Sequence, residues 1–60
     1  MSVAGELRKS IREEIGARDR YLRRAKEADT ITARLYRHIA NEENTHAHEF
    51  NSRLRIMNRR

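Results

Sequence analysis

Residues Ile31–Met57 read ITARLYRHIANEENTHAHEFNSRLRIM. Within that stretch Ile31, Leu35, Ile39, Glu43, His46, Phe50, Leu54 and Met57 follow one another at steps of four, four, four, three, four, four and three. Residues three and four apart stack on one side of an α-helix, so this spacing predicts a helix from about Thr30 to about Met57 with a continuous inward stripe. Only Glu43 and His46 are polar on that stripe, and they stand at its middle in the order Glu-x-x-His. An ionisable pair turned toward a core is costly unless something binds it.

The first half of the chain repeats the anomaly. Leu7, Ile11, Ile15, Leu22 and Ala25 recur at helical spacing, and Glu14 falls on the same face, three residues after Ile11. Tyr21 lies seven beyond Glu14 and shares that face, as does Arg18. A helix from about Val3 to about Ala28 is expected, so that each helix is roughly 40 Å long at 1.5 Å per residue. Asp29, Thr30 and Thr32 are residue types that cap helix N-termini, and they place a bend at Ala28–Ile31. The alternative is one long helix pairing as a coiled coil. Against it, the stripe does not keep a single heptad register across Ala28–Ile31. The expected fold class is therefore all-α: an antiparallel two-helix hairpin that dimerises into a four-helix bundle, with residues 1–60 forming one domain.

One carboxylate from one helix and Glu-x-x-His from the next make half of a carboxylate-bridged two-metal site. Half a site per chain implies that two chains build a whole one, and a two-fold axis would supply four carboxylates and two imidazoles. Hard carboxylate oxygens with borderline imidazole nitrogens suit iron or manganese, and zinc is an alternative. A rival ladder is His38, Glu42 and His46, four residues apart at each step, which could hold a surface ion. In the bland reading Glu14 pairs with Arg18 one turn on, and Glu43 and His46 find partners across a dimer. His48 faces nearly opposite to His46 and is expected in solvent. Tyr21 reads as a core aromatic and Tyr36 as a flank or interface residue.

Composition bounds the rest. Sixty residues form one domain at most, and a chain this short is marginal as a monomer. There is no Cys to form a disulfide or thiolate site, no Pro, and 38% of residues are charged. No apolar run approaches the roughly 20 residues of a membrane span, and Met1–Lys9 lacks a signal-type apolar region, so a cytoplasmic protein is expected. The net charge of +5 admits nucleic acid as a partner. Its clusters are Arg20, Arg23 and Arg24, and Arg53, Arg55, Arg59 and Arg60, which equally describe solvated helix faces. Helix-turn-helix spacing and interleaved aromatics are absent. Ser2, Ser10 and Ser52 have no triad context, and no phosphate loop is present.

The segment Ile11–Leu54 resembles the ferritin-like superfamily, in particular its short half-bundle members, the encapsulated ferritins and small rubrerythrin-like proteins. The resemblance is carried by Glu13-Glu14, Tyr21, Arg24-Ala25, Arg34-Leu35, His38-Ile39-Ala40, Glu42-Glu43 and His46-Ala47. It implies a di-iron centre in which Glu43 bridges, His46 is a terminal ligand and Glu14 is the ligand from the first helix. Tyr21 and Glu42 would stand beside those ligands without touching metal. The implied activity is ferroxidase or peroxide-reducing, with Fe(II) and oxygen or peroxide as reactants. The implied partners are a second copy, higher assemblies such as a ring of dimers, and an encapsulin-type shell. The chain departs from that pattern at Arg18, where an apolar residue is expected, and at Gly16, which replaces an acidic residue of a second iron site. No encapsulin-targeting segment is legible beyond Met57, and no Cys-rich electron-transfer segment is present. Two other classes remain open on sequence: a non-catalytic helical dimerisation module and a basic helical nucleic-acid binder.

Overall fold

The computed structural model describes residues 2–58. Within them α1 spans Val3–Glu27 and α2 spans Thr30–Met57. Glu14 meets His46, Arg18 meets Asn44 and Tyr21 meets Tyr36, so the helices run antiparallel as a hairpin. The alternative of one uninterrupted helix is thereby excluded.

Local chemistry explains where the helices start and stop. Ser2 is extended (φ −79°, ψ 157°) and its hydroxyl accepts the Gly5 N–H at 3.0 Å, which caps α1. Arg24 and Lys26 stand in the last turn of α1, where cations complement the helix dipole. The chain then takes two extended residues in succession, Ala28 (φ −91°, ψ 160°) and Asp29 (φ −64°, ψ 167°). Because the reversal uses only the β region, it needs no positive φ and hence no glycine. Asp29 restarts the helix. Its Oδ1 accepts the Thr32 N–H at 2.9 Å, and its Oδ2 accepts the Thr32 hydroxyl at 2.8 Å. These bonds hold the Asp29 carboxyl below its ordinary value of 3.8, the Thr32 backbone contact contributing most.

The seam between the helices is built from alanine. Ala33, Ala40 and Ala47 recur every seven residues on α2, and Ala25 faces them from α1. These four are the buried core of the described residues, with Ala40 only 1% exposed. Tyr36, Glu43, Phe50, Leu54 and Met57 complete the α2 side as half-buried residues, and Ile11, Glu14, Arg18 and Tyr21 complete the α1 side. Alternating three- and four-residue spacing is the pattern of helices packed side by side.

This seam is rotated from the stripe of large apolar residues that the sequence displays. Ile31 is 79% exposed and Leu35 55% exposed, although both belong to that stripe. The cause is geometric. The hairpin measures 48 × 17 × 10 Å, one helix thick, and has room for a single narrow contact strip. The apolar surface of α2 is wider than that strip, and the small residues win the close approach. Leu35, Ile39 and His46 emerge on one flank of the seam, whereas Ile15 and Leu22 emerge on the other.

Two outcomes are expected. Ala40→Leu forces a larger side chain into the closest part of the seam and should cost about 1–3 kcal/mol, read as a lower urea midpoint. Asp29→Ala should lower the thermal midpoint at neutral pH, and the difference from wild type should shrink on acidification. The Asp29 value is depressed in the folded chain, so its contribution is present above the ordinary value of 3.8 and fades as pH falls toward the lower folded one.

Candidate metal centre

The hairpin brings three of the sequence's candidates to one point. Glu14 projects from α1. Glu43 and His46, one turn apart on α2, face it across the seam. One donor atom from each of the three lies within 4.8 Å of the others. Among the described residues this is the group of His, Asp and Glu side chains so placed. Glu14 Oε2 is 3.4 Å from His46 Nδ1. The Glu14 side chain is 23% exposed, while His46 is half open at 50%. Glu14 Oε2 itself is shielded from solvent and makes no hydrogen bond, since the contact to His46 lacks hydrogen-bond alignment. A buried carboxylate oxygen without a partner is costly, and few native groups are left in that state.

The electrostatics agree. The Glu43 carboxyl is pushed up from its ordinary value of 4.5. The largest cause is a hydrogen-bonding interaction with the Glu14 carboxyl, followed by desolvation and by the negative charge of Glu14. The charge of His46 pulls it partly back down, and Glu42 adds a small upward push. Two carboxyls that interact in this way hold a proton between them more readily than either would alone. A cation placed there would replace that proton and satisfy Glu14 Oε2. Two oxygen donors and one imidazole nitrogen are a donor set for iron, manganese or zinc, and they leave most of a coordination sphere open. The residues present therefore fit a divalent metal.

The remaining candidates fall elsewhere. Glu42 turns away from the cluster to pair with His38, at 3.2 Å, on the exposed side of α2. The ladder of His38, Glu42 and His46 is not assembled among the described residues: Glu42 is taken by His38, while His46 Nδ1 contacts Glu14. Glu43, not its neighbour Glu42, faces Glu14. Tyr21 stacks against Tyr36, with ring centroids 5.9 Å apart and planes tilted by 31°, and the Arg24 guanidinium lies 5.4 Å from its ring centre. Among the described residues no side-chain hydrogen bond joins Tyr21 to Glu14, Glu43 or His46. Glu14 does not pair with Arg18, as the bland reading expects. Arg18 instead donates to Asp19 and, across the seam, to Asn44. Asn44 was not singled out by its sequence context; the signal for it is an arginine on an apolar stripe, which demands an acceptor on the facing helix. His48, Arg53 and Arg55 are exposed, and the basic end continues into Arg59 and Arg60, which lie outside the described residues.

Fold and site together define a helical-hairpin protein with a paired-carboxylate and histidine cluster. Residues 6–60 match the model of the rubrerythrin family, and the chain belongs to that family. No curated protein and no solved structure matches the chain significantly. Membership points to a di-iron carboxylate fold in a family that typically binds iron. No helix among the described residues is long and apolar enough to cross a membrane.

The raised Glu43 value has a testable sign. An acid whose folded value is raised stabilises the fold below its unfolded value and loses that contribution as pH rises through the folded one. Metal-free protein should therefore lose stability as pH climbs above about 4.5 through the raised Glu43 value. Glu43→Gln, which removes the charge, should raise the melting temperature of metal-free protein at pH 7 while removing the stabilisation that added metal gives to wild type.

Proposed function

We propose that this chain is one half of a di-iron carboxylate protein with ferroxidase or peroxide-reducing activity, each chain being a single ferritin-like domain. Two hairpins pair through the flank that carries Leu35, Ile39 and His46 and form a four-helix bundle. Glu14, Glu43 and His46 of each chain then meet their symmetry mates around two metal ions. The observation that carries this reading is Glu14 Oε2, buried, unpaired and within 4.8 Å of donors from Glu43 and His46. Exposed Ile31 and Leu35 support the pairing, because an uncovered apolar patch on so thin a hairpin marks a surface awaiting a partner. The subgroup proposed is the short half-bundle type, an encapsulated ferritin or small rubrerythrin-like protein. Iron is the metal proposed, with manganese or zinc able to occupy the same donors.

Bound iron would supply the one-electron redox chemistry. The chain supplies donors, position and proton control. Glu43 must be ionised to hold metal, and its interaction with Glu14 favours the protonated form, so metal uptake weakens as pH falls. Glu14 offers the carboxylate oxygen that the apo fold leaves unsatisfied. His46 presents Nδ1 to the same point. The Ala33, Ala40 and Ala47 seam holds both helices close enough for these donors to converge.

Two measurements test this. Protein titrated anaerobically with Fe(II) and then exposed to oxygen or peroxide should oxidise the iron faster than buffer does. Glu43→Ala should fall to the buffer rate and lose stoichiometric iron, and an unchanged iron content in that variant would sink the assignment. Separately, Leu35→Arg should sediment at monomer mass and lose iron although Glu14, Glu43 and His46 are all intact.

A further inference from the structure

Arg18 occupies a seam position, seven residues after Ile11 and seven before Ala25, and its side chain is only 32% exposed. Its guanidinium crosses to the other helix. Nη1 donates to Asn44 Oδ1 at 2.8 Å, and Nε donates to Asp19 Oδ1 at 3.1 Å. Among the described residues, the Arg18–Asn44 bond joins α1 to α2 outside the carboxylate–histidine cluster, whereas the bonds of Ser2, Asp19, Asp29 and Thr45 are local to one helix or its cap. Its two ends are placed with respect to the metal cluster. Arg18 is one turn beyond Glu14 on α1, and Asn44 sits between Glu43 and His46 on α2. Asn44 is two residues from His46, about 160° away around the helix. The bond thus lies behind the cluster, on the flank with Ile11 and Ile15, in a groove that Ala47, His48 and Asn51 also line.

We propose that the Arg18–Asn44 bond is a clamp that fixes the register of α1 against α2 and so preorganises Glu14 opposite Glu43 and His46 for metal. This rests on the metal reading given above and makes Arg18 a positioning residue, not a ligand. The seam supplies the reason that a clamp is needed. Ala25, Ala33, Ala40 and Ala47 permit close approach, but their single methyl groups offer little to resist sliding or rotation of one helix on the other. A guanidinium held by two acceptors does resist it, because its planar fork has few orientations that satisfy both bonds. The positive charge is not the operative property, because Asp19 already neutralises it at 3.1 Å.

The probe is Co(II), which takes the same donors as Fe(II), resists air oxidation and has visible absorption bands that report its coordination. Wild type, Arg18→Met, Arg18→Lys, Asn44→Ala and the Arg18→Met/Asn44→Ala double variant are titrated. Helicity and sedimentation mass are recorded on the same samples. The clamp predicts that Arg18→Met and Asn44→Ala each weaken Co(II) binding about 10–100-fold, the range for partners that orient metal ligands, and alter the visible spectrum while helicity and mass are kept. It predicts that Arg18→Lys does not rescue, since one ammonium cannot reproduce the fork, and that the double variant is no worse than the weaker single one. If Arg18→Met fails to fold, Asn44→Ala decides, because it leaves the Arg18–Asp19 pair in place. Wild-type affinity and spectrum in the single variants would overturn the clamp while leaving the metal reading standing, and full rescue by Arg18→Lys would overturn it in favour of charge. Absence of Co(II) binding by wild type would overturn the metal reading and the clamp with it.

Discussion

A two-helix hairpin one helix thick has no interior in the ordinary sense. Each helix has a single strip of its surface covered, and every other direction meets solvent or a partner. In this chain the covered strip belongs to Ala25, Ala33, Ala40 and Ala47. Among the described residues all larger side chains are left half-buried or exposed, and the rest of the structure follows from that allocation. Because the core is made of methyl groups, the helices come close enough for a glutamate on one to reach a glutamate and a histidine on the other. Because nothing bulkier is buried, the hydrophobic driving force available within one chain is small for its length. In the pairing proposed above, covering Ile31 and Leu35 would couple folding to site formation.

The cluster of Glu14, Glu43 and His46 works against the fold that carries it. Two carboxyls face each other, one oxygen has no partner, and Glu43 holds its proton more tightly than a solvated glutamate does. A sequence selected only for packing would place apolar side chains at these positions. Strain that persists at one place in an otherwise regular hairpin is typical of a ligand site, where the missing favourable interaction is supplied on binding. The family match over residues 6–60 places that local reading in a wider frame, a di-iron carboxylate fold.

Much of this was legible in the sequence, and the exceptions have physical causes. The helices were visible because the three- and four-residue spacing is unbroken from Ile31 to Met57, and the bend was visible because Asp29, Thr30 and Thr32 are residue types that cap helix N-termini. The convergence of Glu14 with Glu43 and His46 was visible because polar residues interrupt apolar stripes at matching depths from the bend. The seam was not. Large apolar residues dominate a hydrophobic pattern, while alanines, which decide where two helices touch, scarcely register in it. For the same reason Arg18 reads as a flaw in the first stripe. Only its distance to Asn44 shows that it bridges the seam, since nothing local to Asn44 distinguishes it from a surface asparagine. Tyr21, a core aromatic by its spacing and a neighbour of the ligands by the resemblance, packs its ring against Tyr36 and Arg24.

Each chain brings three donors to a point that needs about twice as many to saturate two ions. In the pairing proposed above, metal then acts as a ligand of the assembled state alone, and mass action ties association to iron supply. Holo protein would persist as a dimer at dilutions where apo protein dissociates, and iron would be released when subunits part. Below the dimer dissociation constant the concentration of assembled sites would rise as the square of subunit concentration, so a modest change in expression would become a steeper change in the amount of iron held.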